Sequence, residues 1–180
     1  MKAPAFRTRP VTEKNWKDFE TLFESKGAPS YCWCMVWRMN SAELKQNDPA
    51  SRKKFIKKRV MEGTPVGLLA YDGRDPVAWC SIAPRETYRR LGGDETIKKV
   101  WSIACFFIRR EYRHAGLVDL LVEKAKAYAR KHKARFAEAY PVKPDSPSYR
   151  FMGQIHTFKK AGFTHVKKAG SRRHVMTCPL

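Results

Sequence analysis

The residues best suited to chemistry form one stretch, 105–121, in which an apolar run passes through a basic turn into a periodic segment. The apolar run 105–108 predicts a strand, and apolar residues at helical spacing from Leu117 onward predict a helix. Such a junction leaves the first N–H groups of the helix without acceptors inside the helix. Those donors and the positive end of the helix dipole attract a phosphate group. The stretch therefore predicts an anion site between strand and helix.

Two features of the turn favour a phosphate ligand. Gly116 has no side chain, so a ligand can approach the backbone closely there. Arg109, Arg110 and Arg113 surround the turn with fixed positive charge. The same order of strand, glycine and helix also occurs in connections that bind no ligand. The spacing alone therefore leaves open that this turn only joins two elements.

The sequence of the turn resembles the coenzyme A loop of the GNAT N-acetyltransferase superfamily. The motif of that loop is Arg/Gln-x-x-Gly-x-Gly/Ala, and it follows the fourth strand. Arg113, Gly116 and Val118 occupy the three defining positions, and Val118 departs from the Gly or Ala of the pattern. The resemblance implies that acetyl-CoA binds here, with its pantetheine arm along the strand and its pyrophosphate on the loop. The implied cofactor-binding residues are Phe106, Phe107, Ile108, Arg113, His114, Ala115, Gly116, Leu117 and Val118.

The resemblance covers nearly the whole chain and implies one GNAT-like domain over residues 1–180, similar to a small bacterial subgroup of the family. The implied fold is α/β (mixed α+β): a mostly antiparallel twisted sheet with strands 4 and 5 splayed apart, flanked by about four helices. The similar segments are 65–85 for strands 2 and 3, 100–108 for strand 4, 135–142 for strand 5, and 151–163 for helix 4 leading into strand 6.

Local patterns place further elements. Asp48 as a cap and Pro49 at the first helical position predict a helix to about residue 61. The turn 72–75 predicts a hairpin. The remaining predictions are an entry strand within 1–10, a helix over 12–26, an aromatic strand or pocket-lining loop over 31–39, a polar connection over 84–99 that stays outside the core, a helix over 115–131, a helix over 150–161, and final strands over 163–168 and 173–178.

An acetyl transfer to an amine needs a proton acceptor and a donor for the departing thiolate. Glu138 is the only carboxylate of the predicted fifth strand and is our candidate base, directly or through water; a paired strand carboxylate is the alternative. Tyr140 is a candidate acid or substrate ligand, or a packing residue. Phe158 stands where the family has an acidic tyrosine, so His156 is the third candidate, with Tyr149 or water as substitutes.

Five cysteines in a chain of this size argue against a disulfide scaffold. Cys32 and Cys34 lack the second ligand pair of a closed zinc site, so we expect no metal and predict buried or half-buried thiols. Cys105 is a conceivable acyl carrier. No partner histidine is evident for it, and direct transfer is favoured.

The bulk composition fits one globular domain of 180 residues with 43% hydrophobic residues. No apolar run approaches membrane-spanning length and the first residues lack a secretory pattern, so we expect a cytoplasmic protein without membrane partners, monomeric or homodimeric. The net charge of +20 favours anionic partners and makes nucleic acid a possible one.

The predicted function is an N-acetyltransferase that moves the acetyl group of acetyl-CoA to a primary amine, on a small molecule or a peptide, by direct attack in a ternary complex. One alternative is an acyltransferase for aminoacyl-tRNA, which would use the basic surface. The other is a non-enzymatic basic RNA-binding domain, although the sequence shows no aromatic and basic RNA-binding motif. The resemblance further implies that about residues 27–48 and 84–99 form the acceptor pocket.

Overall fold

The computed structural model describes residues 6–180. The strands are β1 (Arg7–Pro10), β2 (Leu68–Asp72), β3 (Asp75–Pro84), β4 (Val100–Ile108), β5 (Phe136–Ala139), β6 (Thr164–Ala169) and β7 (Arg173–Pro179). The α-helices are α1 (Trp16–Glu24), α2 (Pro49–Met61), α3 (Leu117–Lys131) and α4 (Ile155–Lys160). None of the helices described is long and apolar enough to cross a membrane.

All seven strands form one sheet in the order β1-β2-β3-β4-β5-β7-β6. The pair β4 and β5 is parallel, and the other five neighbouring pairs are antiparallel. The predicted mixed α/β fold with a mostly antiparallel sheet and four helices is thereby confirmed.

The strands β4 and β5 separate halfway along β4. Their pairing runs only from Val100 with Phe136 to Ile103 with Ala139, whereas β4 continues to Ile108. Ala104 is an extra residue on β4, because Ser81 of β3 pairs with Cys105 and the next residue of β3 pairs with Ile103. A bulge of this kind bends its strand and increases the local twist. The second half of β4 therefore diverges from β5 and leaves its edge free.

Each face of the sheet has its own apolar core. Helix α3 buries Leu117, Leu121 and Val122 against one face, in a cluster that includes Ile103 and Phe158. On the other face, α1 and α2 pack over a cluster rich in aromatic rings, among them Trp16, Phe19, Phe23, Trp33 and Trp79. Both faces are thus covered, and the free edge of β4 lies between the two layers.

Most local predictions are confirmed, and two are wrong. Asp48 caps α2 by accepting a hydrogen bond from the N–H of Ser51 at 2.9 Å, and the hairpin at 72–75 joins β2 to β3. The single helix predicted over 150–161 is divided by Gly153, whose φ of 87° interrupts it between a short 3-10 turn and α4. The connection 84–99 does join the core, since it buries Tyr88 and Leu91.

Other segments differ in their limits. Residues 31–39 form a succession of turns, so the loop alternative is the correct one. The helix predicted over 12–26 is a 3-10 turn followed by α1. The predicted entry strand is β1, and the part of that prediction over residues 1–5 lies outside the described residues.

Candidate functional site

The loop between β4 and α3 exposes a run of backbone donors. Residues 113–116 are exposed, and both His114 and Gly116 adopt positive φ, at 68° and 73°. Gly116 is the N-cap residue of α3. Within residues 6–180, no hydrogen bond gives the N–H groups of 114–119 a protein acceptor. The left-handed turn ahead of the helix therefore aims several unpaired donors and the helix dipole at solvent, as an anion site requires.

A basic cleft of about 460 Å³ borders this loop. It is bounded by residues Ser25, Lys26, Gly27, Phe107, Arg109, Arg110, Glu111 and Arg113. Glu111 forms an ion pair with Arg109 at 2.5 Å, so the remaining cations are in excess. The cleft therefore offers positive charge beside the unpaired N–H groups.

A second, largely apolar cavity of about 310 Å³ opens where β4 bulges. Ala104, Cys105 and Phe106 form its sheet wall. The other lining residues are Phe23, Pro29, Tyr31, Cys32, Cys34, Val36, Trp37, Ser81, Tyr88, Tyr149 and Phe151. The cavity draws on residues 29–37 and on Tyr88, within the two segments expected to form the acceptor pocket.

The thiol of Cys34 lies in a polar niche of this cavity. Cys34 is 7% exposed, and it has positive φ together with Trp33, at 56° and 47°. The indole Nε1–H of Trp79 donates to its sulfur at 3.3 Å. The neighbouring Cys105 thiol, the positive charge of Arg38 and the Trp79 donor together lower the pKa of Cys34 to about 7, against the opposing effect of burial. The niche therefore favours the thiolate.

Arg38 is a buried cation next to this niche, 3% exposed. Its Nη2 donates to Val66 O at 2.7 Å, Ser81 Oγ at 2.8 Å and Tyr88 Oη at 2.7 Å. Its Nε and Nη1 are buried without a hydrogen-bond partner. None of the ion pairs formed by residues 6–180 gives Arg38 a carboxylate. Its guanidinium is thus surrounded by hydroxyl and carbonyl groups and by the ring of Tyr88, whose centre lies 4.1 Å from the guanidinium carbon.

Glu138 is fully buried and its carboxylate is well supplied with donors. Tyr140 Oη donates to Oε1 at 2.5 Å, the N–H of Asp94 donates to Oε2 at 2.8 Å, and Arg85 Nη1 lies 3.4 Å from Oε1. A Cβ built on Gly93 would come within 2.7 Å of Oε2, so only glycine leaves room there. The carboxylate therefore anchors the 85–94 segment against β5.

Sequence comparison decides the family. Residues 11–163 match the Acetyltransferase (GNAT) family. The chain belongs to the GNAT acetyltransferase family. No curated protein sequence matches the chain. The loop and cleft described above therefore occur in a fold that carries acetyl transfer in its family.

Solved GNAT structures share the fold at low sequence identity. The GNAT domain of S. lividans PAT has a TM-score of 0.62 and 16% identity, covering 97% of this chain and 90% of that one. PaiA N-acetyltransferase of Thermoplasma acidophilum, in complex with coenzyme A, has a TM-score of 0.57 and 14% identity over 98% and 99%. Ribosomal-protein-alanine N-acetyltransferase of Brucella melitensis has a TM-score of 0.55 and 16% identity over 95% and 96%.

The sequence-predicted coenzyme A residues of this GNAT domain are contiguous in space. Phe106, Phe107 and Ile108 occupy the free half of β4, and His114, Ala115 and Gly116 form the exposed turn that follows it. Leu117, the first residue of α3, is buried against the sheet, whereas Val118 next to it is half-buried. Arg113 borders the basic cleft. These residues form one continuous strip from the cavity to the cleft.

The three predicted catalytic residues are not brought together. Glu138 and Tyr140 are bonded to each other in the interior, and neither lines the 310 Å³ cavity. His156 is exposed on α4 and has only Thr157 Oγ1 at 3.4 Å. Phe158 is fully buried, with its ring 5.1 Å from that of Phe163. The roles of Glu138, Tyr140 and His156 stay predictions, and the packing favours an anchoring role for the first two.

Sequence reasoning missed the niche formed by Cys34, Trp79 and Arg38. The Cys-x-Cys pattern in an aromatic segment was the available signal, and it predicted buried or half-buried thiols, as found. The partners of Cys34 are far away in sequence, since Trp79 is 45 residues distant. No group of three or more metal-ligating side chains occurs in the described part of the chain.

Proposed function

We propose that this GNAT domain transfers the acetyl group of acetyl-CoA to a primary amine by direct attack. The observation that carries the proposal is the run of unpaired N–H groups over 114–119 at the start of α3, bordered by Arg113. A pyrophosphate would satisfy these donors and gain from the helix dipole. Acetyl-CoA supplies the activated acetyl group when it is bound.

The free edge of β4 supports the binding of an extended arm. Residues 104–108 have no strand partner on the side of β5, because the pairing of the two strands ends at Ile103. A pantetheine arm carries amide groups, which can pair with an exposed strand edge as an added strand does. An arm laid along this edge from the loop would end at the bulge, beside the cavity. The donor thioester and the acceptor then meet at Ala104–Phe106.

The cavity suits a small cationic amine. Its volume of about 310 Å³ lies at the lower end of the range for small-molecule pockets, roughly 300–1,000 Å³. Aromatic rings of Phe23, Trp37, Tyr88 and Tyr149 line it, and such rings attract an ammonium group through their faces. We propose a small molecule or the end of a peptide as the acceptor. PaiA and the ribosomal-protein enzyme are named as N-acetyltransferases, which supports transfer to nitrogen.

The net charge of +20 supports a second candidate, acyl transfer to aminoacyl-tRNA. Neutralising phosphates releases counterions, so such a substrate would bind far more weakly as salt rises. A small amine contacts no phosphate chain, so its binding would depend only weakly on salt.

Cytoplasmic location and a monomeric or homodimeric state also remain proposals.

The test measures thiol release from acetyl-CoA with a panel of small amines, peptides and aminoacyl-tRNA. Gly116→Glu adds volume and negative charge at the proposed phosphate position and should abolish binding of coenzyme A in calorimetry. Gly170→Glu is the matched control, because Gly170 has a similar φ of 69° and equally open space around its Cα. Unchanged coenzyme A affinity in Gly116→Glu, or no release with any acceptor, would overturn the proposal.

A further inference from the structure

The cavity is lined by several thiol and phenol groups that the reaction scheme has not yet used, and Cys34 is the one whose surroundings favour its anion. Direct attack needs a neutral amine, so the ammonium proton of the acceptor must be removed within hydrogen-bond reach of the cavity. Glu138 does not line the cavity, and its carboxylate is already bonded to Tyr140 and Asp94. Cys34 does line it, as does Cys105 beside the bulge.

Charge balance in the interior favours an anionic Cys34. Arginine does not lose its proton in proteins, and a buried charge without a counter-charge is costly. Arg38 is 3% exposed and has two nitrogens without a hydrogen-bond partner within residues 6–180, so a nearby anion would stabilise it. Burial raises the pKa of Tyr88 above its usual value, so the hydroxyl beside Arg38 stays neutral.

The other thiols around Cys34 are poorer anions. Burial and the neighbouring Cys34 charge raise the pKa of Cys32, on the same loop, and of Cys80, on β3. The neighbouring Cys34 and burial raise the pKa of Cys105, on β4, whose own thiol donates to Phe106 O at 3.8 Å. The titratable or charged groups that face Cys34 are therefore Cys32, Arg38, Cys80, Tyr88 and Cys105. Among these groups, Cys34 alone is stabilised as an anion.

The backbone and the donors around Cys34 form a built site. Trp33 and Cys34 both adopt the left-handed conformation, which is costly for residues with side chains and is concentrated at functional sites. This conformation directs Cys34 toward the indole N–H of Trp79, 3.3 Å away, and toward the cavity. A thiol that only filled space would need neither the strain nor these donors.

We infer that Cys34 is a thiolate in the acceptor cavity and takes the ammonium proton of the acceptor amine. This inference rests on the proposed function. In the step, an N–H bond of the ammonium breaks, an S–H bond forms at Cys34 Sγ, and the nitrogen keeps the electron pair. The amine then forms the amide C–N bond as the thioester C–S bond breaks, and the second nitrogen proton ends on the coenzyme A sulfur. Cys34 returns its proton to solvent before the next turnover.

The first test needs no activity. Wild-type protein is alkylated with iodoacetamide over a range of pH, and each cysteine is followed by mass spectrometry of its peptide. Alkylation of Cys34 should be half-maximal near pH 7, well below the value of about 8.5 for an ordinary thiol. Cys178 is an internal reference, because burial raises the pKa of its thiol. Removing the neighbouring Cys105 thiol with Cys105→Ala should move the Cys34 midpoint upward. A Cys34 midpoint at the ordinary value would overturn the inference.

The second test separates this inference from the proposed function. Cys34→Ser should lower the rate of transfer by roughly 10²- to 10⁴-fold, the usual contribution of a positioned base, with coenzyme A affinity unchanged. Cys178→Ser should keep the wild-type rate. An active wild type whose Cys34→Ser variant keeps the rate and pH profile would overturn the inference alone. An acetyl group found on Cys34 without acceptor would also overturn it, since Cys34 would then be a nucleophile. A wild type inactive with every acceptor would overturn the proposed function, and the proton role with it.

Discussion

Replacing Glu138 by glutamine distinguishes an anchoring carboxylate from a catalytic base. Glu138 is buried, and its two oxygens accept from Tyr140 at 2.5 Å and from the N–H of Asp94 at 2.8 Å. Glutamine keeps the shape and can still use both partners. Its oxygen can face Asp94, and its NH₂ can donate to Tyr140, whose hydroxyl can donate to Ser102 Oγ 3.0 Å away. The substitution therefore removes charge rather than hydrogen bonds.

The expected cost follows from those two bonds. A hydrogen bond to a charged group contributes about 1.5–3 kcal/mol and a neutral one about 0.5–1.5, so losing the charge at both costs about 2 kcal/mol. Arg85 is partly exposed and also donates hydrogen bonds to Asp94 O and Ile97 O. Loss of its ion pair with Glu138 therefore adds little to the cost of the substitution. For a domain of this size, about 2 kcal/mol lowers Tm by roughly 4–8 °C.

Thermal and urea unfolding measure the stability, and the pH–rate profile with an active acceptor measures the chemistry. Glu138→Gln should be less stable by the stated amount while its acidic limb stays where the wild type has it. Glu123→Gln is the control, because Glu123 makes only an exposed pair with Lys126 and should change stability by less than about 0.5 kcal/mol. Unchanged stability would refute the anchoring role. A rate lower by about 100-fold, with a shifted acidic limb and intact folding, would make Glu138 the base.

Three further outcomes are expected. Arg113→Ala should weaken coenzyme A binding by about 1–2 kcal/mol in calorimetry if it makes one charge-assisted contact, and an unchanged Kd would exclude that contact. Gly116→Ala should lower the free energy of unfolding by about 1–2 kcal/mol, since alanine disfavours the left-handed conformation. Urea titration measures the free energy of unfolding, and a variant as stable as the wild type would mean that the turn relaxes to another conformation. Phe158→Tyr should cost about 1–3 kcal/mol of stability, because the added tyrosine hydroxyl becomes buried. The rate per folded molecule should stay within a small factor of the wild-type rate. A large loss of rate in correctly folded protein would assign Phe158 a positioning role.

Local signals made the anion loop and the flanking elements predictable. The helix start at Gly116 depends on residues within one turn, as does the cap that Asp48 provides for α2. The resemblance in the sequence supplied the splayed pair of strands, which local patterns alone do not specify. The prediction of one helix over 150–161 was wrong at Gly153, because the spacing of apolar residues does not indicate that this glycine has a φ of 87°.

The interior of the site was beyond sequence reasoning because its partners are distant. Glu138 meets Arg85 and Asp94 across 53 and 44 residues. Arg38 meets Ser81 across 43 residues. The segment 84–99, which carries Arg85 and Asp94, is polar in sequence, so it resembles a surface connection, and only the folded sheet brings each charge to its partners. The sequence left open whether Glu138 is a base or a paired strand carboxylate, and its bonds to Tyr140 and Asp94 favour the second role.

The position of β7 in the sheet has a consequence for synthesis of the protein. β7 lies between β5 and β6, and among the strands of residues 6–180 β6 has no other neighbour. A chain made only as far as residue 169 has no partner for β6 and leaves the outer edge of β5 bare. Domains usually begin folding from the N-terminal side as they are made, and unpaired strand edges promote aggregation. Completion of this sheet must therefore wait until β7 has left the ribosome, which makes the nascent chain dependent on protection of β5 and β6 until that moment.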